Sequence, residues 1–195
     1  SILGAVTILE SLGVDALGVN CSLGPKELIP IVEEILSYTK LPVIVQPNAG
    51  LPKMENGKTV FDLSVAEYTQ IMKEFAEKGV SILGGCCGTD ETFINSLYDE
   101  LIDFPVVSRN IKPRSIIASS TKCVDLDEGI KTIGERINPT GKKKLKEALI
   151  TNNFDYILKE AVLQKESGAD ILDINVGLPQ IDEISTIINV VKEVQ

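Results

Sequence analysis

An α/β fold with a parallel sheet is predicted by three observations. Short β-branched apolar runs recur at Val14 to Asn20, Pro42 to Gln46 and Val80 to Leu83. Longer amphipathic stretches at Pro25 to Ser37 and Ser64 to Lys78 separate them, and strands that alternate with helical stretches imply crossovers between parallel neighbours. The punctuation agrees with the periodicity: Ser64 with Glu67 reads as a capping box, and Gly79 lies just past Lys78 as a helix stop.

In chain order, the sequence opens inside a helical stretch and passes through the three strands with their helices. It reaches a further helix near Asp90 to Ile102. The pattern then breaks. Pro105, Arg109, Asn110, Pro113 and the segment SIIASSTKCVDLDEG read as a linker with short extended pieces. A second βα series follows: KTIGERINPTG, a polar-rich helical stretch to about Ser167, GADILDINVGLP and a last helix to Gln195. The expected division is 1–104, a linker at 105–130, and 131–195. No long internal repeat is evident beyond the βα alternation. With about three βα units in one set and two in the next, neither could close an eight-stranded barrel. The chain is therefore expected to be an internal fragment of a longer protein, one that does not fold stably by itself because part-barrels expose sheet edges and apolar faces.

Composition removes several function classes. The 195 residues carry 44% hydrophobic content and a net charge of −9 with pI near 4.6. An acidic chain of this kind lacks the basic footprint that binds phosphate backbones. No run approaches the roughly 18 apolar residues of a membrane span. Neither nucleic acid nor membrane is an expected partner. Histidine is absent, which removes Ser–His and Cys–His nucleophiles and imidazole metal sites. Four cysteines without a signal peptide at the start fit a reducing cytoplasm, where thiols serve as ligands or nucleophiles.

Three of those cysteines sit where an apolar strand runs into a glycine-rich turn: Cys21 in VDALGVNCSLGP, and the adjacent Cys86 and Cys87 in SILGGCCGT. In an α/β barrel that is the end where active sites are built. Three thiolates converging there would leave tetrahedral Zn²⁺ one open coordination position, the mark of a catalytic site. Gly84 and Gly85 are expected to let the backbone bend tightly beside the metal without Cβ clashes. The bland alternative is that Cys86 and Cys87 are buried small residues at a strand end. Cys123, in TKCVDLD, is read as free or packed; as a fourth ligand it would turn the site structural.

GVNCSLGP, PNAGLP and GGCCGT, in this order and spacing, resemble the last three strands of the homocysteine-binding zinc barrel of the cobalamin-dependent methionine synthases. IGERINPTG and GADILDINVG resemble the opening of that family's methyltetrahydrofolate-binding barrel. The cysteine triplet alone would also suit single-barrel homocysteine methyltransferases that use betaine or S-methylmethionine, but those lack the pterin-type half. The resemblance implies parts of two consecutive TIM-like (β/α)8 barrels, joined by the linker. It implies a methyltransferase in which a methyl group passes from 5-methyltetrahydrofolate to cobalamin, and from methylcobalamin to zinc-bound homocysteine. A cobalamin-binding domain or subunit is the implied partner, and this segment alone is expected to be inactive.

The chemistry suits those residues. A free thiol such as homocysteine's, with an ordinary pKa of about 8.5, is mostly protonated at neutral pH, and only the thiolate is a competent nucleophile. Three thiolates from Cys21, Cys86 and Cys87 would leave the metal centre formally anionic, so a bound sulfur stays electron-rich. Asn48 in PNAGLP either shapes the homocysteine pocket or closes a turn on its own backbone. In ILDINVG, Asp173 and Asn175 are two apart and share a face opposite Leu172 and Ile174. An Asp–Asn pair there matches the donors and acceptors of a pterin ring; otherwise both are polar residues satisfied by neighbouring strands. The resemblance assigns Glu135 and Asn138 to the folate site, with Asn138 near the reacting pterin nitrogen; Glu135 could equally pair with Arg136 or structure the turn. Lys142 to Lys144 read as a solvated helix start, or as a contact for folate's anionic tail.

Two other readings stay open. One is a related methyltransferase acting on another thiol or a corrinoid protein. The other is a non-catalytic zinc-stabilised binding module in which Cys123 closes a four-cysteine site.

Overall fold

The computed structural model describes residues 1–195 and resolves them into two compact units, Ser1–Pro113 and Arg114–Gln195. Both are mixed α/β, as expected, and neither contains a closed barrel.

In the first unit, α1 (Ile2–Ser11), β1 (Leu17–Asn20), α2 (Pro25–Tyr38), β2 (Val43–Gln46), a hairpin of β3 (Lys53–Glu55) and β4 (Lys58–Val60), α3 (Val65–Glu77), β5 (Ile82–Leu83) and α4 (Glu91–Leu101) follow in order. The parallel sheet runs β1-β2-β5, with Val19 beside Val45 and Val45 beside Leu83. Alternation on β2 sends Val43 and Val45 into a core with Val32 of α2 and Met72 and Phe75 of α3. The opposite face is less covered: Ile82 is 48% exposed.

The expected capping box is present, with Ser64 accepting from the Glu67 N–H and Glu67 accepting from the Ser64 N–H. Gly79 has φ +97, as a helix stop requires, and it also makes room for Arg109, whose Cδ would lie 2.9 Å from an added Cβ. The Arg109 guanidinium donates to the carbonyl of Thr39, the C-cap of α2 (2.9 Å), and to that of Leu41 just past it (2.5 Å). The stretch through Pro113 thereby packs with the first unit.

The β3–β4 hairpin was not anticipated. Its signal is Asn56-Gly57, both at positive φ, flanked by KME and KTV, the sequence of a two-residue primed turn.

The second unit holds a hairpin of β6 (Ile116–Ala118) and β7 (Cys123–Asp125), then β8 (Ile133–Ile137), α5 (Lys143–Ile150), α6 (Phe154–Glu166), β9 (Ile171–Ile174) and α7 (Glu183–Val194). The single helical stretch expected up to Ser167 is two helices. Asn152 adopts φ 52, and Asn153 caps α6 by accepting from the Tyr156 N–H.

Strands β8 and β9 pair in parallel, Gly134 with Leu172 and Ile137 with Ile174, with an irregularity between Gly134 and Ile137. That bulge is completed by Gln164 of α6, which is 5% exposed. Its Oε1 accepts from the Arg136 N–H at 2.7 Å, and its Nε2 donates to the Glu160 carbonyl at 3.2 Å. A Cβ at Gly134 would lie 2.6 Å from the Gln164 Oε1, so a side chain there would displace the amide that completes the bulge. Gln164→Ala is expected to strand the bulge N–H and lower stability by about 1–3 kcal/mol. Denaturant unfolding of the full chain measures this, and an unchanged midpoint would refute it.

Candidate metal centre

All three strands of the first unit's parallel sheet end at the same edge, so the loops after β1, β2 and β5 meet there. Cys21 follows β1 directly, and its N–H donates to the Gln46 carbonyl at 3.0 Å. Cys21 and Ser22 both have φ near +60, and two successive non-glycine residues in the left-handed region carry backbone strain. The turn back is closed by the Leu23 N–H on the Cys21 carbonyl at 2.7 Å.

The loop after β2 lies between the two cysteine-bearing loops and binds both. The Asn48 N–H donates to the Leu23 carbonyl (3.1 Å), the Ala49 N–H to the Cys87 carbonyl (2.9 Å), and the Cys86 N–H to the Pro47 carbonyl (2.9 Å). Asn48 is 3% exposed, and its Oδ1 accepts from the Cys87 N–H at 3.2 Å. Its side chain therefore joins two loops across 39 residues of sequence, and the turn on its own backbone is not what it makes.

This arrangement gathers the cysteines. The Sγ atoms of Cys21, Cys86 and Cys87 all lie within 4.8 Å of one another. Cys21 to Cys87 is 3.4 Å and Cys86 to Cys87 is 3.9 Å. Tetrahedral Zn²⁺ with bonds of about 2.3 Å requires sulfurs about 3.8 Å apart, so the donor set fits a metal of that size and softness. Cys21 and Cys86 are half-buried and Cys87 is exposed, which leaves one side open to a ligand. Sulfur contacts from Cys86 and Cys87, with the Ser22 N–H, hold the Cys21 thiol below its ordinary pKa. The same contact with Cys21 pushes the Cys87 thiol up to about 11. Without a cation, then, Cys21 and Cys87 resist ionising together, and a cation is what would discharge that repulsion.

Gly84 and Gly85 avoid Cβ clashes, as expected, through the lack of a side chain and not through left-handed backbone. Neither has positive φ; Gly85 is required because a Cβ would sit 2.4 Å from the Thr89 Oγ1. Thr89 in turn donates to the Cys86 carbonyl at 2.7 Å. The positive φ belongs to Gly88, at +82, against the Phe61 ring.

Residues 1–101 match the homocysteine S-methyltransferase family model. The chain belongs to that family. As a homocysteine S-methyltransferase family member it is also similar to the methionine synthase of Mycobacterium tuberculosis (strain H37Rv), with 33% identity over 173 residues, 87% of this chain and 14% of that protein. The Mycobacterium leprae methionine synthase is 31% identical over 178 residues, 87% of this chain and 15% of the relative. The chain thus spans about one seventh of the length of these relatives. Both likenesses are longer than the first unit and so continue into the second.

In that second unit, β8 and β9 carry Glu135 and Asp173, and the loops just after them carry Asn138 and Asn175. Asp173 and Asn175 are both exposed, while Leu172 and Ile174 pack toward the core, as alternation requires. The Asn175 N–H pairs with the Ile137 carbonyl at 2.8 Å, and its Oδ1 accepts from the Gly177 N–H at 2.8 Å. Glu135 does not pair with Arg136. It accepts from the Asn138 side chain, while Arg136 reaches Glu160 of α6 at 3.2 Å. Asn138 Oδ1 accepts from the Thr140 N–H at 3.0 Å. Lys142 is not merely solvated: its ammonium donates to the Arg136 carbonyl at 3.0 Å and lies 3.9 Å from the Glu135 carboxylate. Lys143 and Lys144 are exposed. Cys123 lies on β7, in the second unit.

Sequence reasoning missed Tyr68. It is fully buried on α3, with its ring edge-on to Phe93 at 5.2 Å. Burial, then the nearby Cys86, raises its hydroxyl pKa far above the ordinary value, so it stays a proton donor. No helix is long and apolar enough to cross a membrane.

Proposed function

We propose that this chain carries the thiol-activating centre and part of the folate site of a cobalamin-dependent methionine synthase. The observation that carries this reading is the convergence of Cys21, Cys86 and Cys87, within 4.8 Å, at the ends of three neighbouring parallel strands. Zinc held there would acidify homocysteine's thiol and keep its sulfur nucleophilic toward a methyl group. The three thiolates supply negative charge, the Asn48 side chain and the Pro47 carbonyl hold the Cys86–Cys87 turn in place, and the open side at Cys87 admits the substrate.

In the same reading, 1–104 is part of a homocysteine-binding barrel wall, 105–130 a linker and 131–195 the start of a pterin-binding barrel. Parallel sheets are ordinarily covered on both faces, and the half-exposed Ile82 face of the first sheet suits a barrel interior. Exposed Asp173 and the polar group of Glu135, Asn138 and Asn175 suit the hydrogen-bonding edge of 5-methyltetrahydrofolate. Cobalamin, on a separate domain or subunit, would relay the methyl group, and the protein would work in the cytoplasm.

Zinc content and the zinc-edge X-ray absorption spectrum, recorded on the complete protein that contains this segment, with and without homocysteine, test the reading. One zinc per chain, exchanging an oxygen or nitrogen neighbour for sulfur when homocysteine is added, is expected. A metal-free protein, or a site already closed by four protein sulfurs, would overturn it.

A further inference from the structure

Beneath the cysteine cluster lies a hydrogen bond that the thiols do not make themselves. The Tyr68 hydroxyl donates to the Gly84 carbonyl at 2.7 Å and lies 3.5 Å from the Pro47 carbonyl. Pro47 O is the acceptor of the Cys86 N–H at 2.9 Å. One buried hydroxyl therefore sits between the exits of β2 and β5, against the two carbonyls that flank the Gly84–Cys86 turn.

We infer that Tyr68 is a positioning residue for the metal centre, setting the Cys86 and Cys87 sulfurs at their spacing from Cys21 by fixing the peptide that enters the Gly85–Cys86–Cys87 turn. The inference rests on the metal-site reading above and adds a residue to it.

The physical argument is one of freedom. Gly84 and Gly85 have no side chain to restrict that turn, and β5 is only two residues long, so its own ladder bonds restrain the exit weakly. Beside the bonds from Asn48, Pro47 and Thr89 to the Cys86–Cys87 part of the turn, the hydroxyl restrains the Gly84 peptide from a ring that is fully buried and held edge-on by Phe93. Removing the oxygen leaves the Gly84 carbonyl without its donor inside the core and lets that peptide rotate. The cost then falls on sulfur geometry more than on packing. Partners that orient a metal ligand typically change metal affinity about 10- to 100-fold when lost.

The test compares Tyr68→Phe with Phe93→Leu in the complete protein that contains this segment. Zinc affinity is measured by chelator competition, the cobalt-substituted spectrum reports ligand geometry, and thermal unfolding reports packing. Tyr68→Phe is expected to lower zinc affinity about tenfold or more and alter the cobalt bands, and to speed hydrogen exchange at the Cys86 amide in metal-free protein. Phe93→Leu keeps the hydroxyl, so it is expected to lower the melting temperature while zinc affinity stays within about twofold. Unchanged affinity, spectrum and exchange in Tyr68→Phe would overturn the inference. So would an equal loss of affinity in Phe93→Leu, since that would make the effect one of general packing. A wild-type chain that binds neither metal would instead remove the metal-site reading itself, and the inference with it.

Discussion

Serine at position 21, 86 or 87 is expected to reduce zinc affinity by well over 100-fold, whereas Cys123→Ser leaves it unchanged. The lower bound follows from the hierarchy of metal sites: residues that merely orient a ligand are worth about 10–100-fold, and the ligand itself is worth more. A serine hydroxyl ionises far less readily than a thiol and is a harder donor, so it replaces neither the charge nor the softness of the lost sulfur. The three changes are expected to be non-additive, because each alone already empties the site. Cys123 lies on β7 in the second unit, and the three clustered thiols are those of Cys21, Cys86 and Cys87 in the first. Zinc retention after dialysis against chelator, measured on each variant of the full chain, decides the matter. Loss of metal in Cys123→Ser would favour a closed four-cysteine structural site.

The second large effect is at Gly88. An alanine there would place its Cβ 2.5 Å from the Phe61 ring at a φ of +82. The left-handed backbone costs a non-glycine residue about 1–2 kcal/mol, and forcing atoms into filled space adds about 1–3 kcal/mol. Gly88→Ala is thus expected to lower stability by about 2–5 kcal/mol and to displace Cys87, its neighbour, with loss of zinc. Gly57→Ala is the control. Its φ is +75, but an added Cβ meets nothing within 4 Å, so the expected loss is only the backbone part, about 1–2 kcal/mol, with zinc retained. Denaturant midpoints of the two variants, read side by side, separate the effects. Equal destabilisation would show that Phe61 yields easily and that the loop is not tightly packed.

Legibility differed between the site's parts for a physical reason. Cys21, Cys86 and Cys87 stood out because strand ends and glycine turns are local patterns, and a vicinal pair beside two glycines is rare. Asn48 was visible only as a polar residue in a turn. Its bond to the Cys87 N–H spans 39 positions and depends on β2 lying between β1 and β5. Tyr68 and Gln164 read as ordinary members of amphipathic helices, yet each is a buried polar group completing a loop or bulge far away in the chain.

By itself, then, the sequence determined the βα alternation, the capping box at Ser64, the stop at Gly79 and the three thiols at strand ends. All of these follow from interactions within a few residues. Only the tertiary structure decided which loops meet, that Arg109 closes the end of α2, that Glu135 turns to Asn138 and Lys142 and away from Arg136, and that Tyr68 underlies the cysteine turn. Those outcomes depend on strand order and on buried polar groups finding partners, and the demand that every buried donor and acceptor be satisfied acts across space without leaving a periodic trace along the chain.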